Sequence, residues 1–356
     1  MRQLSQIYLL LLLIAPITGC STVSYYSQAI SGHLSIMLRK QPNTELIANA
    51  NTPPELRRQL LFAEQARTFA RHELALPVGG AFSEYVSLGR PWVVVNLVAV
   101  PEFSLSPHQW CYPVIGCQAY RGYFSLNEAR EEQAGFQEQG FDTMIGTVTA
   151  YSTLGWFDDP LHTGFTALPD DRMVALMFHE LAHRVIYIKG DTAFNESFAT
   201  AVELEGLRLW LQRTGSEEGF TQALKRLQYR EQTLTLVIHT SQKLHHLYEQ
   251  QESLGTPTLR ARKKQLFDEL ADAYAGLAEQ YSAPGPLGSP PVRLNNAHLA
   301  LFRQYNQHVP AFRQLLKESG YDFGEFYRVT KALAGQSTTS RDAQLQTLSE
   351  RFVEYL

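Results

Sequence analysis

Pro169-Asp170-Asp171-Arg172-Met173-Val174-Ala175-Leu176-Met177-Phe178-His179-Glu180-Leu181-Ala182-His183 is the stretch on which the reading of this chain turns. Asp170 after Pro169 is a suitable N-cap. The residues from Met173 to Ile188 are mostly apolar and Lys189-Gly190 supplies a stop, so the pattern predicts one helix across the run. On a helix, positions i and i+4 share a face, which aims His179 and His183 at one point. Glu180 is offset by about 100° around the axis and stands beside that point. H-E-x-x-H chemistry needs this arrangement: two neutral imidazoles to hold a divalent metal, and a carboxylate that can take a proton from water next to it. His72-Glu73-Leu74-Ala75 repeats the first four letters, but Leu76 follows, so that copy reads as helix surface.

Two histidines make an incomplete site, because a catalytic zinc takes three protein ligands and keeps a fourth position open. Asn195-Glu196-Ser197-Phe198-Ala199 follows a turn at Gly190-Asp191, with twelve residues between His183 and Glu196. Glu203 stands seven residues, two helical turns, beyond Glu196. A solvated acidic face is the other reading of these glutamates, since Glu205 is close by.

His179 to His183 followed by Asn195-Glu196-Ser197-Phe198-Ala199 resembles the gluzincin metallopeptidases, whose next helix carries a ligand in an N-E-x-x-A context. The wider run, Ala150 to Thr200 together with Trp110 to Phe124, resembles a family of bacterial zinc aminopeptidases over most of the chain. The resemblance implies that His179, His183 and Glu196 bind one Zn²⁺ and that Glu180 is the general base and proton shuttle. Glu203 would orient a ligand histidine from behind, and a peptide would be the substrate.

The sequence departs from that pattern in two places. The interval between His183 and Glu196 is short, so the connecting loop must be tight. The G-x-M-E-N motif that reads a free amine in related aminopeptidases is absent. The strand Met144 to Tyr151 is expected to be the substrate-pairing edge, ending in Ala150, Tyr151 and Ser152, yet it has no glutamate. Asp158 or Asp159 would have to serve instead. A group that stabilises the oxyanion is also expected, and Tyr305, after Asn295-Asn296-Ala297-His298, lies on a suitable downstream segment. Tyr187, one turn after His183, reads as core.

Around this centre the expected class is α+β and predominantly α, with gluzincin-like catalytic helices and an upstream mixed β region. Residues 1–19 read as a signal peptide, 20–77 as a helical segment, 78–169 as the mixed β/α region, and 170–356 as the helical zinc-binding region; 78–356 read as one catalytic unit. Thr52-Pro53-Pro54-Glu55 predicts a capped helix start. Pro91 to Val100 is a β-branched run of strand length, and a helix over about Ser125 to Gln139 separates it from the Met144 strand. Phe220, Leu224, Leu227, Leu234 and Ile238, then Leu259, Leu266, Leu270, Leu277 and Tyr281, predict two long amphipathic helices around a turn at Gly255-Thr256-Pro257. Pro284 to Pro291 is a loop.

With 356 residues and 44% apolar content, the chain can bury a large core. Thirty-one Lys+Arg against 35 Asp+Glu, with no basic block, argue against nucleic acid as a partner. Three cysteines exclude a disulfide scaffold. The first follows Met1-Arg2 and an apolar run from Ile7 to Ile17 that is too short to span a bilayer. Ile17-Thr18-Gly19-Cys20 resembles the lipobox of bacterial lipoproteins, which implies cleavage before Cys20 and a lipid anchor on it. In that pattern Ser21 in place of Asp favours sorting to the outer membrane, and the expected location is the cell envelope on the periplasmic side of that membrane. Export puts the other pair, Cys111 and Cys117, in an oxidising compartment; Pro113 and Gly116 between them allow a turn and a disulfide, with two buried thiols as the alternative.

The expectation is a lipid-anchored zinc metallopeptidase, an aminopeptidase on the resemblance and an endopeptidase otherwise. Two other classes stand beside it: a structural or chaperone-like lipoprotein with a fold-stabilising metal, and a two-His-one-carboxylate iron site. The base at Glu180 argues for hydrolysis over both.

Overall fold

The computed structural model describes residues 20–112, 116–149, 158–215, 217–281 and 284–353. Helix α1 (Cys20–Arg39) leads into a short strand β1 (Gln41–Pro42), helix α2 (Asn43–Ala48) and helix α3 (Pro54–His72). Pro54 sits at the first position of α3, where a missing N–H costs nothing. Pro53, not Thr52, holds the cap position there, and no side chain caps that end. Strands β2 (Glu84–Val86), β3 (Val94–Pro101), β4 (Trp110–Tyr112), β5 (Gly116–Gln118) and β6 (Arg121–Tyr123) follow. Helix α4 (Leu126–Glu138), capped by the Ser125 hydroxyl, separates them from β7 (Phe141–Val148), β8 (Leu161–His162) and α5 (Thr163–Thr166).

The remainder is helical: α6 (Asp170–Ala182), α7 (Thr192–Thr214), α8 (Glu217–Glu249), α9 (Thr256–Ala278), α10 (Asn296–Asn306), α11 (Val309–Glu318), α12 (Phe323–Ala334) and α13 (Thr338–Arg351). The fold is α+β and predominantly α, as the periodicities predict. No helix among the described residues is long and apolar enough to cross a membrane.

The β-branched run of the sequence becomes the centre of an antiparallel sheet of order β6-β3-β7. It is buried from Val94 to Val100, which is why it reads as a continuous apolar run rather than an alternation. Val95, Leu97 and Ala99 pack with Trp110, Tyr123 and Ala129, while Val98 and Val100 pack with Ala297 and Ala300 of α10. The second strand lies three residues earlier than expected, at Phe141–Val148, and forms an edge of this sheet. Ala150, Tyr151 and Ser152 lie outside the described residues. A mixed sheet β1-β2-β8 and the hairpin β4-β5 complete the β structure, and Cys111 and Cys117 face each other across that hairpin in a disulfide.

The two long helices form, but the buried face of α8 differs from the predicted stripe. Thr233, Val237, Thr240, Leu244 and Leu247 are buried, and Ile238 is 40% exposed. On α9 Leu259 and Leu270 are buried as expected, joined by Phe267 and Tyr274. Lys263, also on that face, donates to the Asp142 carboxylate at 2.6 Å and to the Glu102 carbonyl at 2.8 Å, which ties this pair of helices to the start of β7.

The main core joins α3, α6 and α7 to the C-terminal helices. Phe178 stacks on Phe69 at 5.8 Å, and Trp210 meets both rings edge-on. Gly206 makes the close approach of α7 possible: a Cβ there would lie 2.7 Å from Leu74 and 2.9 Å from Phe178. Removing the Phe178 ring would cost about 3–5 kcal/mol.

Candidate metal centre

Helix α6 starts at Asp170 and presents His179 from its last turn. It stops sooner than the apolar run predicts, at Ala182, with His183 at the C-cap position. Tight turns from Arg184 to Leu181 and from Val185 to Ala182 carry the chain out. The loop is held by Asn195, whose buried side chain accepts from the Ile188 N–H and donates to the Ile188 carbonyl, both at 2.8 Å. Asp191 then caps α7 by accepting from the Phe194 N–H at 3.0 Å. The short interval is thus closed by one buried amide and one cap, and Glu196 emerges in the second turn of α7 opposite the two imidazoles.

The three predicted ligands come together. Nε2 of His179 lies 3.3 Å and Nε2 of His183 lies 3.7 Å from Oε2 of Glu196, with side chains 10, 7 and 12% exposed. Their ligand atoms all lie within 4.8 Å of one another. Ligands about 2.1 Å from a tetrahedral ion stand roughly 3.4 Å apart, so the spacing and the N, N, O donor set fit a divalent metal such as zinc. Glu203, two turns along α7 from Glu196, reaches the other side of the same ring, 3.0 Å from Nδ1 of His179.

Burial and charge set the protonation of the cluster. Burial alone would depress His179, but hydrogen bonds to Glu196 and Glu203 outweigh it and lift the ring to about 10. Burial lowers His183 to about 4; its Nδ1 has no hydrogen-bond partner among the described residues. Burial pushes Glu196 up, but His183 and His179 hold it below the usual carboxylate range. Glu203 behaves likewise through His179, Arg230 and Arg172. Glu180 goes the other way: burial is the main cause that raises it to about 7, and the opposing charge of His179 does not offset it.

The centre opens into a cavity of ≈ 1370 Å³. The strand β7 from Met144 onward, His298 and Leu301 of α10, Gln118 at the end of β5 and Tyr120 after it share its wall with Glu180, His179, His183 and Glu196. Tyr187, read from the sequence as core, instead faces this cavity half-buried, and its hydroxyl accepts from Nε2 of Gln118 at 3.2 Å. Tyr120 was not singled out by any motif. Its hydroxyl is held protonated by burial and by the charges of Glu196 and Glu180.

One expected residue stands elsewhere. Asp158 pairs with Arg184 at 3.3 Å and accepts from the Gly80 N–H at 3.2 Å, so it fixes a loop junction rather than a substrate amine. Asp159 is near enough to Glu180 to help raise it. Tyr305 is on α10, and its side chain lies outside those described.

The sequence profile of a family described as "Putative aminopeptidase" matches residues 24–345, nearly the whole chain. Neither a curated protein nor a solved structure matches.

Proposed function

Because the chain belongs to this aminopeptidase family, we propose that it is a zinc-dependent, gluzincin-type metallopeptidase that removes residues from peptide N-termini. The observation that carries the reading is the spacing of His179, His183 and Glu196, with Glu180 in the same cavity wall. Zinc held by these three side chains would supply Lewis-acid polarisation of the scissile carbonyl and of the attacking water.

The chain's own groups do the rest. Glu180, as carboxylate, takes one proton from the attacking water and passes it to the leaving nitrogen, so that one peptide and one water become an acid and an amine. Its value near 7 suits a group that must both accept and return a proton at neutral pH. Glu203 accepts the Nδ1–H of His179, which keeps Nε2 free as a lone-pair donor. Tyr120 and Tyr187 offer hydroxyls to the carbonyl oxygen as it gains charge, in the role the sequence assigned to Tyr305. An extended peptide can add to β7 as a further strand, with its scissile bond carried toward the ligands.

We also read Cys20 as lipid-modified after loss of residues 1–19, which puts the enzyme in the bacterial cell envelope on the periplasmic side of the outer membrane. The disulfide between Cys111 and Cys117 supports an exported, oxidising setting.

Mass-spectrometric mapping of cuts in a peptide library, with and without chelator, tests the activity. Loss of single N-terminal residues is expected, and internal cuts would replace the exopeptidase reading with an endopeptidase. Glu180→Gln should keep one zinc per chain and lose turnover by at least about 10²-fold. Unchanged turnover in that variant would leave the metal as a structural element only.

A further inference from the structure

Helix α1 has two unlike faces. The inner face is fastened to the sheet. Tyr25 lies under the Arg121 guanidinium at 3.9 Å, the Gln28 side chain accepts from the Phe124 N–H at 2.9 Å, and Ile36 is buried with Val86, Val93 and Val94. Tyr25, Ala29 and His33 also form part of the cavity wall.

The outer face carries Tyr26, Ile30, Leu34 and Leu38, spaced four apart and 38, 58, 51 and 83% exposed. Only Leu61, Ile238 and Val353 are other large apolar side chains exposed among the described residues, and they are scattered. Single exposed apolar residues need no explanation, but four in one stripe of one helix do. Ser27, Ser31 and Ser35 lie between them, and α1 contains no acidic residue. Arg39 and Lys40 stand at its end.

We propose that α1 lies on a lipid bilayer surface through Tyr26, Ile30, Leu34 and Leu38. The inference rests on the anchoring reading above, because Cys20 lies on α1, ahead of the stripe. A lipid on that residue would bring the helix start to the membrane, and the stripe begins six residues, or about 9 Å, further along. An interfacial helix combines an apolar stripe with basic and uncharged polar residues, as here, and a lipid chain gains a second attachment from it. Since the opposite face of α1 walls the cavity, the bilayer and the catalytic cavity share one helix. The catalytic cavity is therefore held next to the membrane rather than free on a tether.

The test uses the full chain carrying Cys20→Ser, which has no lipid, with Leu34→Cys as its one thiol outside the disulfide. A nitroxide on that thiol is read for collision with oxygen and with a water-soluble nickel chelate. The vesicles are phosphatidylethanolamine and phosphatidylglycerol. On adding vesicles, the label at position 34 should gain oxygen collisions and lose nickel collisions, whereas a label placed by Gln346→Cys should not change. Replacing Ile30, Leu34 and Leu38 together by Gln should lower vesicle partition at least tenfold with unchanged thermal unfolding. A label at 34 that stays in water with vesicles overturns the proposal. So does one already shielded without them, which would mean that a second copy covers the stripe. The mass of wild-type Cys20 reports the anchor separately: an unmodified cysteine sinks the anchoring reading and leaves the labelling result to stand by itself.

Discussion

Nδ1 of His179 lies 3.0 Å from Oε2 of Glu203, on the side of the ring opposite Glu196. The imidazole is therefore clamped between two carboxylates on one face of α7, one turned to the metal position and one behind it. The rear carboxylate fixes both the tautomer and the ring plane. Such partners typically account for 10–100-fold in metal affinity.

Glu203→Ala should accordingly weaken zinc binding by about 10–100-fold in competition with a chromophoric chelator, while helix content stays unchanged. Glu203→Gln keeps an acceptor oxygen and should lose less. Equal zinc affinity in the wild type and the alanine variant would remove Glu203 from the site.

Tyr120 feels the charges of both Glu180 and Glu196, and its hydroxyl remains a donor at any working pH. Tyr120→Phe should lower kcat by about 10²-fold with little change in KM, the signature of a donor used mainly in the transition state. Tyr187→Phe is the second test, because that hydroxyl accepts from Gln118 and can still donate its own proton. A wild-type kcat in Tyr120→Phe would transfer the role to another group, with His298 next to be tested.

The sequence makes the candidate ligands and their support legible because a helix converts spacing into direction: His179 with His183, and Glu196 with Glu203. It does not make the second wall legible. Tyr120 comes from the segment between β5 and β6, fifty residues before the start of α6 at Asp170, and nothing local marks it. Tyr187 was misread for a related reason. The apolar run continues past His183 as a helix would, but Asn195 takes both backbone groups of Ile188 and forces the chain into a loop. On α8 the period was right and the phase was not. Thr233 and Thr240 take buried positions because their hydroxyl-bearing side chains are small, and Thr233 returns its proton to the Tyr229 carbonyl at 2.7 Å.

The disulfide closes the β4-β5 hairpin, which carries Gln118 of the cavity wall and runs on to Tyr120. A loop this short gives up about 2 kcal/mol of stability when opened, on the chain-entropy account. Cys111→Ser combined with Cys117→Ser should show a loss of that size in urea unfolding, and reductant should have no further effect on the double variant. A wild type equally stable in reductant would mean that the ladder alone holds the hairpin.

His162 offers a pH dependence separate from the metal ligands. It is 3% exposed, its Nδ1 accepts from the Gly164 N–H at 3.1 Å, and burial lowers it to about 3. In the unfolded chain the same ring titrates near 6.5. The folded value lies below the unfolded one, so the unfolded state binds the extra proton as pH falls. Stability is therefore full above pH 6.5 and is lost below it, at about 1.4 kcal/mol per pH unit, until the folded ring itself protonates near 3. His162→Asn keeps an acceptor for the Gly164 N–H and does not titrate. Between pH 6.5 and 5 its unfolding free energy should fall less steeply than that of the wild type by about one proton, measured in urea at fixed ionic strength. Other depressed histidines, such as His298 and His308, act in the same direction in both proteins and cancel in the difference. Identical slopes would mean that His162 already carries its proton in the folded chain, and that its Nε2, which has no partner among the described residues, has found an acceptor.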